Sequence, residues 1–461
     1  MNKIIFAAAE CAPFAKVGGL ADVVGSLPKA LKEIGADISV IIPFYGSIKL
    51  KNAKILKKNI EISFNQGKEF FSLYQTFLPQ SKVPLLLVKN NKYFKGSIYS
   101  NHGKSAQEKD FEATRFLFFM QSVVETAHIF QAKIIHCHDW HTSLIPLLVK
   151  KNRKKTKTIF TIHNIAHQGI FDSFLINEKL GTKLEGEVNC VRNAINNADI
   201  VTTVSPGYAK EILGSDFGFG LEKDLNKRKK NLFGIVNGID QDYFNPEKDN
   251  YIAKRYSLKT LVDKKENKKY LQKKIFNKDN AKTALIGMVS RLAEQKGFDL
   301  IEKIFPELIK RNVQLIILGE GLARYEQFLI KQQKKSPDKI HTHIGFNEKL
   351  AHQIYAGSDI FLMPSFFEPC GLGQMIALKY GTVPIVRKIG GLKDTVFPTT
   401  KPGGTGFLFD EYNPEKLIKE IEKALTLFKN QKKWQALQRN GMSQDFSWKN
   451  SAKKYLKLYD F

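Results

Sequence analysis

The sequence predicts an α/β protein built from two parallel-sheet domains, and three observations carry that prediction. The chain is 461 residues long, more than one ordinary hydrophobic core accommodates. Short apolar runs alternate with helical patterns along its length, as parallel β-α units require. Two distant motifs, Lys16-Val17-Gly18-Gly19-Leu20-Ala21-Asp22-Val23 and Pro364-Ser365-Phe366-Phe367-Glu368-Pro369-Cys370-Gly371-Leu372-Gly373, each read as a strand end, a glycine-containing turn and a helix start. Free N–H groups and the helix dipole at such a start attract anions. One motif in each half points to a cleft between two domains that holds a phosphate-bearing sugar.

In the first half, strands are expected at Ile4–Ala9, Ile38–Pro43, Pro84–Lys89, Ile134–Cys137, Thr158–Ile162, Ile200–Val204 and Leu232–Val236. Each is a short apolar run of the kind that parallel sheets bury on both faces. Helices are expected at Gly25–Ile34, Phe111–Ala127, Leu144–Val149 and Gly207–Leu213. In the second half the strands are Leu285–Val289, Gln314–Leu318, Ile340–Ile344, Ile360–Met363, Val383–Val386 and Gly406–Phe409. Helical stretches lie between them at Gly297–Leu308, Ala323–Lys334, Glu348–Ala356 and Gln374–Tyr380. The seam falls near Val236-Asn237-Gly238-Ile239-Asp240, before a Lys-rich stretch. The expected domains are therefore 1–240 and 281–445, with a linker at 241–280. Trp448, Tyr455, Leu458 and Tyr459 recur at near-helical spacing, so 446–461 reads as a helix crossing back to the first domain.

Composition narrows the class. With 43% hydrophobic and 25% charged residues, the chain is globular rather than disordered. No apolar stretch is long enough to span a bilayer, so no membrane is expected as a partner. Four dispersed cysteines, at 11, 137, 190 and 370, suit a reduced cytoplasmic setting better than a disulfide framework. The net charge of +27 would suit a polyanion. The excess is lysine, alongside abundant Asn and Phe, which reads as genome bias, so no nucleic-acid partner is expected. The run Lys150-Lys151-Asn152-Arg153-Lys154-Lys155 reads as a solvated connection between a helix and a strand.

Several residues carry candidate chemistry. Arg291 and Lys296 lie in a loop directly after a strand, where open parallel sheets bind ligands. A guanidinium fork and an ammonium suit a diphosphate without a metal; two solvated cations fit these residues equally well. Pro364 and Pro369 stiffen the second motif, and Gly371 and Gly373 let backbone approach a ligand. Glu368 then offers acceptor oxygens to sugar hydroxyls. Cys370 has no histidine beside it in the motif, so packing is preferred to nucleophilic catalysis. His136-Cys137-His138-Asp139-Trp140-His141 resembles a metal cluster. Strand side chains alternate between faces, so the six cannot converge, and no metal is expected. Asp139 and, at the next strand end, His163 are instead candidates for the reacting centre.

Six motifs, in order, resemble those of bacterial glycogen synthases and plant starch synthases: the Lys16 segment, Asp139-Trp140-His141-Thr142, Ile162-His163-Asn164, Val236-Asn237-Gly238-Ile239-Asp240, the Arg291/Lys296 segment and Glu368-Pro369-Cys370-Gly371-Leu372. The resemblance covers essentially the whole chain. One departure is Val17, where Thr is common. The resemblance implies the GT-B architecture, two Rossmann-like domains facing across a deep cleft. It implies a retaining transfer of glucose from ADP-glucose to the non-reducing-end 4-hydroxyl of an α-1,4-glucan such as glycogen, releasing ADP, with no metal or other cofactor.

By the same resemblance, Lys16 and the Gly18 and Gly19 backbone contact donor phosphates, and Arg291 and Lys296 stabilise the departing diphosphate. Glu368 holds glucose hydroxyls, assisted by the amides of Cys370, Gly371 and Leu372. Tyr355 either stacks on the nucleobase or packs in the core, and Thr382 adds a phosphate contact. The His163 carbonyl faces developing positive charge while Asp139 orders acceptor and donor. Rival readings are a related transferase using UDP-glucose, a glucan-binding scaffold, and a polyanion-binding protein.

Overall fold

The structure, a computed structural model, describes residues 2–50, 53–99, 105–152 and 155–460. The chain forms two compact units, Met1–Gly238 with Trp448–Phe461, and Ile239–Ser447.

The first unit is built on strands β1 (Lys3–Ala7), β2 (Asp37–Pro43), β3 (Lys54–Phe64), β4 (Gly67–Phe77), β5 (Pro84–Lys89), β6 (Ile134–His138), β7 (Lys157–Ile162), β8 (Ile170–Asp172), β9 (Glu187–Asn189), β10 (Ile200–Thr203) and β11 (Leu232–Gly234). Nine of them form one sheet in the order β11-β10-β7-β6-β1-β2-β5-β4-β3, and β8 pairs with β9 separately. The seven strands from β11 to β5 run parallel, while β4 is antiparallel to β5 and β3. The β3–β4 hairpin is absent from the sequence reading. Its first strand opens with six exposed residues and buries Ile60, Ile62 and Phe64, with register shifts between Ile55 and Ile60. Lysines and bulges of this kind protect an edge strand from further pairing, and they also erase its apolar signature. The available cue is Asn65-Gln66, both at positive φ, a two-residue turn that favours hairpins.

Several helix boundaries differ from expectation, among them the helix expected at Phe111–Ala127, which spans Ala106–Ile129. The first helix spans Gly19–Glu33, six residues longer at its start, because Gly19 is already helical and Leu20, Ala21, Val23 and Val24 are buried. The C-terminal helix spans Trp448–Leu458 and packs on Gly19–Glu33. It is pinned to the first unit by Ser451 Oγ donating to the Val236 carbonyl (2.6 Å) and by Tyr459, whose hydroxyl meets His136 Nδ1 (2.8 Å). In the lysine run, Lys150 and Lys151 end the helix Ile145–Lys151. Lys151 donates to the Leu180 and Gly181 carbonyls (2.9 and 2.6 Å) at the end of the helix Ser173–Leu180. Arg153 and Lys154 lie outside the described residues.

The second unit holds β12 (Ala284–Val289), β13 (Val313–Gly319), β14 (Ile340–Ile344), β15 (Ile360–Met363), β16 (Val383–Arg387) and β17 (Phe407–Phe409). They form an all-parallel sheet in the order β14-β13-β12-β15-β16-β17. Alternate residues serve two cores. Ile286, Met288, Leu315 and Ile317 join Phe305 and Trp434, while Leu285, Ile316 and Leu318 join Leu271, Phe276 and Ile354. Burial on both faces is what produces continuous apolar strands.

The stretch 241–280 is not the linker expected. It lies within the second unit and contains the helix Lys264–Phe276, packed on the helix Glu348–Gly357. Its lysines misled the reading because two of them are buried with partners. Lys264 donates to the Ala356 carbonyl (2.6 Å) and Thr382 Oγ1 (2.8 Å), and Lys268 pairs with Asp359 (2.7 Å). Buried cations are tolerated when satisfied in this way.

Candidate active site

In the first unit the strand order reverses around β1 and β6, and the carboxyl ends there are where an open sheet accepts a ligand. Three segments meet at that edge. After β1 comes Glu10, which is 4% exposed. Its Oε2 accepts the N–H groups of Val17 and Gly18, both at 2.8 Å, and its Oε1 accepts the Tyr99 hydroxyl at 2.5 Å. The Lys16 loop is thus held by a buried carboxylate that the sequence reading did not single out. Lys16 reaches Asp22 (2.6 Å). A Cβ added to Gly18 or Gly19 would meet nothing within 4 Å, so local crowding does not require glycine at either position. The open space beside the backbone is what a close-approaching ligand needs.

Asp139 follows β6 at φ 55° and ψ −175°, a region that non-glycine residues occupy at a cost of about 1–3 kcal/mol and mostly at functional sites. Its Oδ1 accepts the His163 N–H at 2.8 Å, tying the end of β6 to the end of β7. Burial raises its carboxyl to about 7, against the lowering effect of the His163 and Asn164 amides, and Glu10 raises it further. His163 is half-buried, and burial lowers its ring to about 3. Its Nε2 lies 2.9 Å from His138 Nδ1. His136 and His138, two apart on β6, share one face and stack at 4.4 Å. His136 is held at both nitrogens, by Tyr459 (2.8 Å) and Thr161 (2.6 Å). These rings therefore bond to one another and to hydroxyls. Trp140 packs edge-on against Phe116 at 5.2 Å.

In the second unit the loop after β12 and the loop after β15 are fastened together. Phe366 N–H donates to the Gln295 carbonyl (2.9 Å), and Gln295 Nε2 donates to the Phe367 carbonyl (3.3 Å). Gly297 makes this possible: its φ is +78°, and a Cβ there would stand 2.2 Å from the Pro364 carbonyl oxygen. The result brings Lys296 Nζ to 2.6 Å from Glu368 Oε2, which also accepts from Ser365 Oγ (3.0 Å). Glu368 is 5% exposed. Both bonds fall on Oε2, leaving Oε1 without a protein partner among the described residues. Arg291 is exposed beside this pair, bonded to Gln295 (3.3 Å). Cys370 is buried. Gly371 and Leu372, which precede the helix Gly373–Lys379, are half-buried.

Two residues named for the donor lie inside the second unit. Thr382 is fully buried. Its one hydroxyl proton is shared between the Ser358 carbonyl (3.0 Å) and that of Tyr355, and its oxygen accepts from Lys264 (2.8 Å), so its hydrogen bonds are already used inside the unit. Tyr355 is 5% exposed, with its ring against Phe361 at 5.2 Å; it is a core residue. Phe366, three residues after β15, is 44% exposed, and the most exposed ring on this edge is Phe346, 82% exposed, two residues after β14. A lone phenylalanine in a loop carries no sequence signal, and the reading missed it.

Comparison with known proteins finds matches in both units. A family profile described as starch synthase catalytic domain matches residues 3–227, and one described as glycosyl transferases group 1 matches 270–441. The chain is 42% identical to a glycogen synthase of Geotalea daltonii, covering 99% of this chain and 98% of that one. It is 40% identical to a glycogen synthase of Anoxybacillus flavithermus, covering 99% and 97%. Among solved structures, it is similar to the catalytic domain of starch synthase IV from Arabidopsis thaliana bound to ADP and acarbose, with a TM-score of 0.90, 33% identity and coverage of 100% and 99%. A sucrose-phosphate synthase from Thermosynechococcus elongatus, 15% identical with a TM-score of 0.62 over 100% and 98% of the two chains, shares the fold.

Proposed function

We propose, on the premise that this chain belongs to the family of bacterial glycogen synthases and plant starch synthases, that it lengthens an α-1,4-glucan by transferring glucose from ADP-glucose to the non-reducing-end 4-hydroxyl. The observation that carries this reading is the Lys296–Glu368 pair, with Arg291 beside it, at the carboxyl edge of the second unit's sheet.

Retention follows if the acceptor oxygen attacks from the face that the diphosphate leaves. The bond from C1 to the phosphate oxygen breaks, and its electron pair leaves with ADP. The acceptor's O4 forms the new bond to C1, and its proton passes to the departing phosphate oxygen. Lys296 has further donors beyond the one spent on Glu368, and with Arg291 it can neutralise the leaving charge. Free Oε1 of Glu368 suits a glucose hydroxyl, with the Cys370, Gly371 and Leu372 amides nearby. Lys16 and the Gly18-Gly19 backbone suit a phosphate oxygen, the His163 carbonyl faces the developing positive charge, and Asp139, which accepts from the Asn164 N–H, holds that carbonyl's peptide in place. Phe346, not Tyr355, offers a face for the nucleobase. The starch synthase IV structure with bound ADP favours adenine. Preorganised charge supplies the catalysis, so no metal is needed. Four buried cysteines, none of them in a disulfide, fit a cytoplasmic enzyme; no helix among the described residues is long and apolar enough to cross a membrane.

The test is transfer of radiolabelled glucose to glycogen from ADP-glucose or UDP-glucose, in the presence of a chelator. Incorporation from ADP-glucose is expected. Incorporation from UDP-glucose alone overturns the donor, and incorporation from neither overturns the reaction.

A further inference from the structure

The histidine pair at the ends of β6 and β7 has more to say than the transfer reaction requires. His138 is fully buried. Its ring lies against Phe6 at 4.1 Å and stacks on His136 at 4.4 Å. His136 is itself fixed through Tyr459 and Thr161, and the Thr161 hydroxyl bonds that of Thr202. The His138 ring therefore has no freedom to turn. Its one hydrogen bond is from Nδ1 to His163 Nε2 at 2.9 Å. Its Nε2 is buried with no partner.

Burial keeps both rings neutral, so each carries one N–H, and two arrangements satisfy the 2.9 Å contact. In the first, His138 Nδ1–H donates to His163 Nε2. His138 Nε2 is then a bare lone pair, and His163 carries its proton on Nδ1. In the second, His163 Nε2–H donates to His138 Nδ1. His138 must then carry a proton on Nε2, where it becomes a buried N–H with nothing to bond. Orphaned buried N–H groups are rarer than buried acceptors left without a donor. The first arrangement wins.

We infer that His138 is a positioning residue that fixes the His163 ring in its Nδ1–H tautomer, so that His163 presents a hydrogen-bond donor, and no base, to the ligand at this edge. His163 Nδ1 has no partner among the described residues. The ligand atom it addresses is therefore an oxygen acceptor: a sugar hydroxyl, ether or phosphate oxygen. The effect on turnover rests on the glucosyl-transfer reading above; the tautomer itself does not.

The test labels the ring nitrogens of the ten histidines in the full chain and assigns the His163 signal with H163Q. Long-range nitrogen–proton correlation then reads the tautomer without any substrate. The native chain is expected to show His163 protonated at Nδ1, and protonation at Nε2 overturns the inference. Two variants add the functional arm. H138N places an amide N–H near the lost Nδ1–H and should keep the tautomer and most of kcat. H138L has no donor and should give mixed tautomers and a kcat lower by about 10- to 100-fold, the usual cost of losing a partner that orients a functional histidine. Equal kcat in the two variants, both folded by circular dichroism, overturns the functional role. If neither variant folds, the native spectrum decides. A native Nδ1–H signal in a chain without transferase activity would sustain the tautomer and remove the reaction instead.

Discussion

At the ends of β6 and β7 the polar groups are neutral rings, threonine hydroxyls and one strained aspartate. At the ends of β12 and β15 they are an ammonium, a guanidinium and a carboxylate. The difference follows from solvation. The first set is sunk in a core of Phe6, Phe116 and stacked histidines, where a charge would lose its water without a counter-charge. The second set has its counter-charge in hand, and Arg291 remains in solvent. At these strand ends each unit thus offers what its surroundings permit: fixed neutral donors and backbone beside β6 and β7, compensated charge beside β12 and β15. On the proposed transfer, a donor whose leaving group is anionic suits the second, and an acceptor that must be ordered rather than charged suits the first.

The largest expected effect breaks the charged half. Lys296→Met leaves Glu368 buried with Ser365 as its one remaining side-chain partner. Stranding one member of a buried pair costs about 3–5 kcal/mol. Loss of one preorganised contact to the leaving group costs about 10²–10³ in turnover. The double variant Lys296→Met with Glu368→Gln removes the stranded charge, so it should recover most of the stability and none of the activity. Denaturant melts beside turnover would show this. If activity returns with stability, the pair is structural, and the two halves do not differ in the way described.

Much of this contrast is legible in the amino-acid sequence. Strands buried on both faces announce themselves as apolar runs, and the Pro- and Gly-framed motif around Glu368 reads as a ligand loop because those residues restrict or free the backbone. What escapes the sequence is whatever depends on a distant partner. Lys264 and Lys268 look solvated until the carbonyl of Ala356 and the carboxylate of Asp359 are beside them. Thr382 and Tyr355 look available until the fold buries them. Glu10 gains its role from amides seven and eight residues onward, and Phe346 from being left in the open. The β3 strand hides because its lysines serve the sheet edge.

The next effect uses pH to separate the units. His136, His138, His141 and His163 are held neutral by burial, with His141 and His163 near 3 against an ordinary value near 6.5. Between those values the unfolded chain binds protons that the folded chain does not. Stability contributed by these residues is therefore present above about 6.5 and lost as pH falls toward 3. Asp139 works the other way, since its raised carboxyl takes up a proton in the folded state first; one carboxyl offsets part of four rings. In the second unit, burial pushes Asp249 up, but bonds from His352, Tyr380 and the Tyr251 N–H outweigh it and hold the carboxyl below its usual range. Its contribution survives until pH drops below about 4. Lys264, lowered to about 7 by burial, adds no slope below that value. The second unit has one ring of this kind, His341, lowered chiefly by burial, against four in the first, so the first unit should lose more stability between pH 6.5 and 4. Hydrogen exchange resolved by peptide would report it, and equal loss in both units would remove the contrast.

The smallest effect sharpens the neutral half. Asp139→Ala and Asp139→Gly both delete the acceptor of the His163 N–H, so both should impair turnover. They differ in the backbone alone. Alanine must hold φ 55° and ψ −175° with a Cβ in place, whereas glycine adopts that region freely. Glycine also gives the unfolded chain more freedom, which partly offsets the gain. The glycine variant should still be the more stable by about 1 kcal/mol, read from urea melts at one temperature. If the alanine variant matches it, the turn at Asp139 is unstrained. A positive difference means that native Asp139 keeps a costly backbone for the sake of its carboxylate. Stability alone does not select that residue. A site that must hold the His163 peptide in one orientation does, because the carboxylate oxygen reaches that N–H from the end of the neighbouring strand.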